Sequence, residues 1–401
     1  TDAVIKMLCE ELDLEEKEVR KKVEKVSVRE KIKSNVDKEI GDKIRSYDFD
    51  GVKVDEDYKR YYPYSSMASK VLGFTGADNQ GIVGLEVKYD KYLQGKDGLI
   101  LTPTDSRGIE LDTALEERVE PVPGYNLVTG IDINIQKYCE QIAYNALGAK
   151  QANYVSVIVM NPKNGEIMAM VNAPEFDLNN PYSLTEEFSN DTSGKSKQDL
   201  LNNMWRNQCI NDTYEPGSPS KIFTVAAGME EGLIKPSDSF ECAGILHVGD
   251  HDIKCTAWRR GGHGWLNVQE SLMQSCNVAM MRMGAIIGRD RFTKYQSIFG
   301  FGDKTGIDLP GEADTSSLVY NADNMRPTDL ATNAFGQNYN CTMVQMAAAF
   351  CSVLNGGSYY EPHVVKQILN DQGSVVKKIE PNLVRETVSQ STSDFIRHAL
   401  F

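Results

Sequence analysis

Apolar residues recur along the middle of the chain with two spacings, one typical of helices and one typical of strands. Helical spacing first appears clearly at Ile135, Tyr138, Cys139, Ile142, Ala146 and Leu147. Two continuous apolar runs follow, at 155–160 and 167–171, and the polar stretch 161–166 joins them. That link contains Asn164-Gly165, and an Asn-Gly pair in a short polar link predicts an antiparallel hairpin. We therefore predict a helix followed by a buried hairpin.

The N-terminal part of the chain has a different pattern. Residues 1–60 contain 17 acidic and 15 basic residues, with only a loose helical stripe of apolar positions, which predicts solvated helices on a small domain. Residues 57–108 are rich in Tyr and Gly and predict short extended pieces, tight turns and one helix near 86–92. Pro121, Pro123 and Gly124 then interrupt the chain, so we predict domains at 1–124 and 125–401.

Two further segments complete the outline. Residues 182–200 are polar and predict a long surface loop, and helical patterns dominate from residue 214 onward. With helices beside an antiparallel hairpin, we expect an α+β fold.

Composition and charge exclude some classes of function. The 401 residues carry 43 basic and 57 acidic side chains, a net charge of −14, which argues against a nucleic-acid binder and against docking by charge on an anionic membrane. No run of 18 apolar residues occurs, so no transmembrane helix is predicted. The chain begins at Thr1 without a signal peptide, and we expect a fragment that a membrane anchor could precede.

The strongest candidate chemistry lies at Ser218 and Lys221. A Pro-Gly bend at 216–217 leads into an apolar helical run, which places Ser218 at a helix start and Lys221 one turn later on the same face. A buried lysine with a lowered pKa can take the proton of a serine nucleophile. A serine at a helix start is more often only a cap, so the pair needs support. A second element, Ser275-Cys276-Asn277, supplies it, because it also precedes an apolar helical run.

These motifs resemble those of class B penicillin-binding proteins. The string 215–224, Glu-Pro-Gly-Ser-Pro-Ser-Lys-Ile-Phe-Thr, resembles the first motif of that family, and Ser275-Cys276-Asn277 resembles the second. Further similar stretches span roughly residues 30–400 and include 61–64, 72–76, 79–86, 104–108, 160–167, 262–264, 306–312, 329–337 and 355–357. The resemblance implies an elongated N-terminal pedestal domain followed by a transpeptidase domain, an antiparallel sheet flanked by helices.

The resemblance also implies a reaction and a role for each site residue. Ser218 would be the acylated serine, Lys221 its general base, Ser275 a proton relay, and Asn277 the group that binds the substrate amide. The substrate would be a peptidoglycan stem peptide, and β-lactam antibiotics would trap the same serine. A membrane glycosyltransferase would be the partner, through the pedestal and an absent anchor. Catalysis needs no cofactor.

The third motif of the family, a Lys-Thr/Ser-Gly on an inner strand, is a separate question. Lys304-Thr305-Gly306 matches the letters, but glycines surround it and it reads as a loop, so we reject it. The true motif would follow residue 391, and we expect the transpeptidase domain to be incomplete at its C-terminus.

Residues 242–263 suggest a metal site. Two cysteines and three of the five histidines fall in this polar segment, and a tetrahedral zinc site uses such ligands. We predict a structural Zn²⁺ held by Cys242, His251, Cys255 and His263, with His247 or a neighbouring Asp as the substitute. A Cys242–Cys255 disulfide or two unrelated thiols are the alternatives. The other six cysteines are scattered or lie in apolar patterns, Cys276 among them.

Three functions remain in competition. The first is a serine D,D-transpeptidase. The second is a non-catalytic β-lactam-binding or scaffolding module for a cell-wall glycosyltransferase, which would have no reason to keep all four catalytic side chains. The third is a β-lactamase, for which no acid is placed by sequence to activate the deacylating water.

Overall fold

The computed structural model describes residues 1–27, 29–34, 36–55, 59–101 and 117–400. The chain forms two compact units. The first comprises Thr1–Pro63 and Phe74–Tyr125, and the second comprises Tyr64–Gly73 and Asn126–Phe401. None of the helices in the described residues is both long enough and apolar enough to span a membrane.

The helices are short, apart from one of 18 residues that follows the start of the second unit. In chain order they are α1 (Asp2–Leu12), α2 (Glu16–Val23), α3 (Lys38–Ser46), α4 (Ser69–Leu72), α5 (Gly84–Lys88), α6 (Asp90–Leu93), α7 (Ile133–Lys150), α8 (Glu186–Ser189), α9 (Lys197–Trp205), α10 (Gln208–Asn211), α11 (Lys221–Glu230), α12 (Val268–Met273), α13 (Asn277–Ile287), α14 (Arg289–Ile298), α15 (Pro327–Asn333), α16 (Met343–Leu354) and α17 (Gln390–Leu400).

The strands form small antiparallel sheets. In chain order they are β1 (Leu99–Leu101), β2 (Glu117–Val119), β3 (Asn126–Thr129), β4 (Val155–Met160), β5 (Ile167–Ala173), β6 (Thr213–Tyr214), β7 (Ser239–Cys242), β8 (Ile245–Val248), β9 (His251–Lys254), β10 (Gly264–Asn267), β11 (Cys341–Thr342), β12 (Ser358–Tyr360), β13 (Val365–Leu369), β14 (Val375–Lys378) and β15 (Leu383–Glu386). Strand β13 lies between β14 and β3, and the other strands pair as β1–β2, β4–β5, β6–β11, β7–β10, β8–β9 and β12–β15.

The first unit has a small core of its own. Helices α1 and α3 and residue Val19 of α2 supply its fully buried side chains, which are Ile5, Met7, Leu8, Leu12, Val19 and Ile44. Charged side chains cover the outer faces, where Arg20 bonds Asp2, Glu16 and Glu24. The structure thus agrees with the prediction of solvated helices on a small domain. The helix expected near 86–92 is present as α5 and α6.

The second unit packs its helices around α11. Residues 221–228 of this helix are all buried, and the Phe223 ring lies 4.9 Å from Phe299 and 5.2 Å from Phe301 between ring centroids. Helices α13 to α17 add buried apolar residues to the same core. The predicted helix is α7 and the predicted hairpin is β4–β5, with Val155 opposite Ala173 and Val159 opposite Ala169. The fold is α+β as expected.

The loop expected at 182–200 is partly wrong, because α8 and most of the first turn of α9 lie within it. The Ser196 hydroxyl accepts the Asp199 N–H and caps α9. The side chains that bury this helix, Leu201, Met204 and Trp205, come after the polar stretch. The polar first turn therefore looked like a loop.

The boundary near residue 124 also needs one correction. In the sequence, the boundary lies between Tyr125 and Asn126. The segment Tyr64–Gly73, however, belongs to the second unit and not to the first. This segment is anchored there because the Ser69 hydroxyl donates to the buried Glu175 carboxylate. The stretch 104–108, which contributed to the family resemblance, lies outside the described residues.

Candidate active site

A tight turn presents Ser218 at the start of α11. Gly217 has φ +63°, and Ser218–Ser220 form one turn of 3-10 helix before Lys221 begins the α-helix. The Gly217 N–H donates to Gly336 O at 2.7 Å. A Cβ on Gly336 would lie 2.0 Å from Gly217 O, so only glycine fits beneath the turn. Ser218 itself is exposed, as a nucleophile must be.

Lys221 is buried, with 2% of its surface exposed, and all three of its ammonium protons have acceptors. Nζ lies 2.7 Å from Ser275 O, 2.8 Å from Ser275 Oγ and 2.8 Å from Asn277 Oδ1. Lys221 is therefore the link between the two sequence motifs. Burial lowers the pKa of its ammonium from 10.5 to about 8.

Ser275 connects the lysine to the nucleophile. Its Oγ donates to Ser218 Oγ at 2.9 Å while it accepts from Lys221. Its backbone has φ +49°, an uncommon conformation for a serine that turns this side chain toward the site. The result is one hydrogen-bonded chain from Ser218 through Ser275 to Lys221 and Asn277.

The structure thus brings together the four side chains expected to carry catalysis: Ser218, Lys221, Ser275 and Asn277. One detail differs from the expectation. The buried lysine reaches Ser218 through the Ser275 hydroxyl, and its own three hydrogen bonds go to Ser275 and Asn277. Lys304-Thr305-Gly306 lies in irregular backbone, where Thr305 is bound to Glu312, in agreement with its rejection as the third motif.

A cluster of sulfur and nitrogen ligands lies directly beside this chain. The Sγ atoms of Cys242, Cys255 and Cys276 and a ring nitrogen of His263 all lie within 4.8 Å of one another. His263 Nδ1 is 3.7 Å from Cys242 Sγ and 3.6 Å from Cys255 Sγ, and the Cys255 and Cys276 sulfurs are 3.8 Å apart. Four ligands about 2.0–2.3 Å from a tetrahedral centre would be about 3.4–3.8 Å apart. The donor set therefore suits Zn²⁺.

The predicted ligand set is wrong at one position. His251 is exposed at the start of β9, where it pairs with Val248, and it is not part of the cluster. The strand β9 ends at Lys254, so Cys255 lies beyond the strand that carries His251. His247 binds Asp252 at the surface instead.

Cys276 is the member of the cluster that the sequence analysis missed. It was grouped with the apolar pattern of α13, yet its Sγ caps that helix by accepting the Ala279 N–H. Its position between Ser275 and Asn277 was the available signal. Each of the eight cysteines, all of which are described, is a free thiol, and this includes Cys242 and Cys255.

The cluster and the catalytic chain share a loop. Burial raises the pKa of the Cys255 thiol, but hydrogen bonds from the backbone N–H groups of Ala257, Val278 and Asn277 outweigh burial and lower it overall. Two of these N–H groups belong to the segment that carries Asn277. The position of Asn277 is therefore fixed from one side by Lys221 and from the other by Cys255.

Comparison with known proteins gives a consistent result. The family described as "Penicillin binding protein transpeptidase domain" matches residues 155–401. The family described as "Penicillin-binding Protein dimerisation domain" matches residues 1–129. Together they account for most of the chain.

Individual relatives point the same way. The chain is 35% identical to stage V sporulation protein D of Bacillus subtilis over 98% of its own length and 59% of that protein. It is 27% identical to the peptidoglycan D,D-transpeptidase FtsI of Buchnera aphidicola over 82% of its length and 54% of that protein. The chain thus spans little more than half the length of these relatives.

Solved structures are similar as well. Penicillin-binding protein 3 of Mycobacterium tuberculosis in complex with ampicillin matches with a TM-score of 0.70 and 26% identity, over 85% of this chain and 68% of that one.

Proposed function

The chain belongs to the class B penicillin-binding proteins, and from that premise we propose that it is a serine D,D-transpeptidase that crosslinks peptidoglycan stem peptides and is a target of β-lactams. The observation that carries the proposal is the continuous hydrogen-bonded chain from Ser218 through Ser275 to Lys221. This arrangement can move a proton away from an exposed serine.

The direction of the hydrogen bonds follows the charge of Lys221. The ammonium donates to Ser275, which then donates to Ser218. When Lys221 loses its proton, its lone pair can accept from Ser275, and Ser275 can accept from Ser218. Ser218 then attacks the carbonyl carbon of the penultimate D-Ala as its proton passes along the chain to Lys221.

The remaining steps return that proton. The tetrahedral intermediate collapses, the peptide C–N bond breaks, and the terminal D-Ala leaves with a proton supplied through Ser275. An amine from a neighbouring strand then attacks the ester and releases Ser218.

The Ser218 backbone N–H forms part of the oxyanion hole. Asn277 accepts from Lys221 through Oδ1, and its Nδ2 donates one proton to Lys254 O at 3.5 Å, which leaves the second Nδ2 proton for the substrate amide.

The test is acylation and turnover in the protein that contains this chain. We expect a fluorescent penicillin to label the wild type stoichiometrically, Ser218→Ala to abolish labelling, and the wild type to exchange the terminal D-Ala of a pentapeptide for another D-amino acid. Labelling without exchange would favour the scaffolding function, and rapid loss of the label by hydrolysis would favour a β-lactamase. Labelling of Ser218→Ala would reject Ser218 as the nucleophile.

We also propose that Cys242, Cys255, His263 and Cys276 hold a structural Zn²⁺. The support is that the four ligand atoms lie within 4.8 Å of one another and that the three cysteines are buried. The metal would brace the loop that carries Ser275 and Asn277 without taking part in the chemistry. A metal bound only by the folded chain stabilises the fold. No step of the reaction passes through it.

Metal analysis of protein purified without chelator tests this proposal. We expect about one zinc per chain, lost in Cys276→Ser and retained in His251→Ala and in Cys351→Ser, which changes a cysteine outside the cluster. A chelator should lower the melting temperature of the wild type but not that of Cys276→Ser. Absence of zinc, or zinc loss in His251→Ala, would contradict the ligand set.

The first unit is proposed as the part that binds a partner, a membrane glycosyltransferase at the outer face of the cell membrane. The support is the match of residues 1–129 to a dimerisation domain. Co-purification from membranes should fail when residues 1–63 and 74–125 are replaced by an unrelated domain, while penicillin labelling persists. Co-purification that survives the replacement would place the contact elsewhere.

A further inference from the structure

A cavity of about 420 Å³ lies between β8, α13 and α15, and none of its lining residues belongs to the catalytic chain or to the cysteine cluster. Its walls are aliphatic and include Leu246 and Val248 of β8, Met281 of α13 and Leu330 of α15. Met325 and Ala331 close its inner side and are almost fully buried. Its volume is within the range of small-molecule sites.

The β8–β9 hairpin covers one side of the cavity. At its tip, a Cβ built on Gly249 would lie 3.5 Å from the Thr328 side chain of α15, so the tip lies close to that helix. At its base, the Cys255 N–H donates to Gly244 O at 2.8 Å and closes the hairpin. The cavity is therefore the space between this hairpin and the helices α13 and α15.

The mouth of the cavity carries two guanidinium groups. Among the described residues, Arg289 and Arg326 are the only charged side chains that line it. Arg289 Nε lies 3.6 Å from Asp290, and Asp329 accepts from Nε and Nη2 of Arg326, so each guanidinium keeps further N–H groups outside its ion pair. Neither Asp290 nor Asp329 lines the cavity. A guanidinium with free N–H groups binds a carboxylate through parallel hydrogen bonds.

We propose that this cavity binds a single-chain fatty carboxylate, with its tail against Leu246, Met281 and Leu330 and its head at Arg289 and Arg326. Charge selects the head, because guanidinium groups at the mouth favour an anion. The apolar lining selects the tail, because burial of an aliphatic chain removes both surfaces from water. The site rests on none of the residues of the proposed reaction.

Two probes with the same tail and opposite heads test the proposal. Decanoate and decyltrimethylammonium would be titrated into the protein below their micellar concentrations and followed by calorimetry. We expect decanoate to bind at one site and the cation to bind at least about tenfold more weakly, which corresponds to the loss of one charge-assisted contact. Equal binding of the two probes, or no binding of decanoate, would overturn the proposal.

Matched variants locate the site. Ala285 is exposed and lines the cavity, whereas the adjacent Ile286 is exposed and does not. Ala285→Trp should abolish decanoate binding, and Ile286→Trp should leave it unchanged. Arg289→Gln should weaken it about tenfold, and Arg291→Gln on the same helix should not. Each variant would first be checked for penicillin labelling, so that misfolding is distinguished from a lost site. Unchanged decanoate binding in correctly folded Ala285→Trp would rule this cavity out.

Discussion

At the scale of single residues, Ser275 has two functions that depend on different atoms. Its carbonyl oxygen and its hydroxyl both accept from Lys221, and the hydroxyl also reaches Ser218. The sequence suggested the participants because each lies at a helix start. It could not show the order of contacts, since 54 residues separate Lys221 from Ser275 and only the packing of α11 against α13 sets that distance.

The pH dependence of acylation should reveal the state of Lys221. In the proposed reaction the neutral amine of Lys221 is the active form, and burial lowers the pKa of its ammonium to about 8. The rate constant for penicillin acylation should therefore rise with pH and level off above about 8, with a value at pH 6 about a hundredfold below the plateau. Rates from pH 6 to 9.5, with circular dichroism to verify folding, would measure this. A rate that still rises about tenfold per pH unit at pH 9.5, or a flat profile, would contradict the role of Lys221.

Ser275→Ala should slow acylation while leaving Lys221 in place. The variant loses the relay hydroxyl but keeps the carbonyl and the Asn277 oxygen as lysine acceptors, so the rate should fall by about 10²–10³-fold with the pH profile retained. Stopped-flow labelling with a fluorescent penicillin is the measurement. Ser316→Ala, at an exposed serine on a separate turn, is the control and should react like the wild type. A similar rate in both variants would exclude the relay.

At the scale of elements, sequence periodicity worked where an element is amphipathic or clearly bounded. The helix α7 and the hairpin β4–β5 were predicted because apolar spacing and an Asn-Gly turn mark them. Periodicity failed for α9, whose polar first turn precedes its buried residues, and for Cys276, whose sulfur looked like part of an apolar helix. In both cases the decisive fact was a cap, which depends on backbone geometry.

The turn beneath Ser218 gives a prediction at this scale. Gly336→Ala would place a Cβ 2.0 Å from Gly217 O and adopt a strained φ of +89°, so the turn would have to move. Penicillin acylation should fall by at least about tenfold, with a melting temperature several degrees lower.

Gly373→Ala is the matched control for strain without collision. Its φ is +80°, and a Cβ there would meet nothing within 4 Å. It should cost some stability but leave the acylation rate unchanged. If the two variants acylate at the same rate, the contact between Gly336 and Gly217 does not position the nucleophile.

At the scale of the whole molecule, the second unit includes a segment that lies in the sequence between the two parts of the first. Tyr64–Gly73 contributes Ser69 and Lys70 to the region around Glu175, which is buried. Burial raises the pKa of the Glu175 carboxyl, and attraction to Lys70 and a hydrogen bond from Ser69 oppose the shift. A division of the sequence into two consecutive domains could not anticipate this, because the segment is polar and its partners lie about 100 residues away.

Ser69→Ala should therefore destabilise the second unit. It removes the hydroxyl that donates to Glu175 and accepts the Phe176 N–H, at a cost of about 2 kcal/mol in the free energy of unfolding. Ser189→Ala, which removes an exposed hydroxyl bonded to Thr185 O, should cost less than about 0.5 kcal/mol. Denaturant unfolding of both variants measures the two changes in the free energy of unfolding. Equal costs would mean that the buried segment does not anchor this unit.

The position of Cys276 between Ser275 and Asn277 in the sequence has a thermodynamic consequence. The two residues beside this cysteine are the ones that bind Lys221, so the cysteine cluster and the reaction site are two ligand sites on one loop. Thermodynamic linkage makes the coupling between the two sites reciprocal. If a metal at the cysteines raises the affinity for a ligand at Ser218 by some factor, a ligand at Ser218 raises the affinity for the metal by the same factor. If the cluster holds zinc as proposed and the metal favours binding at Ser218, an inhibitor at the serine should slow the release of the metal to a chelator.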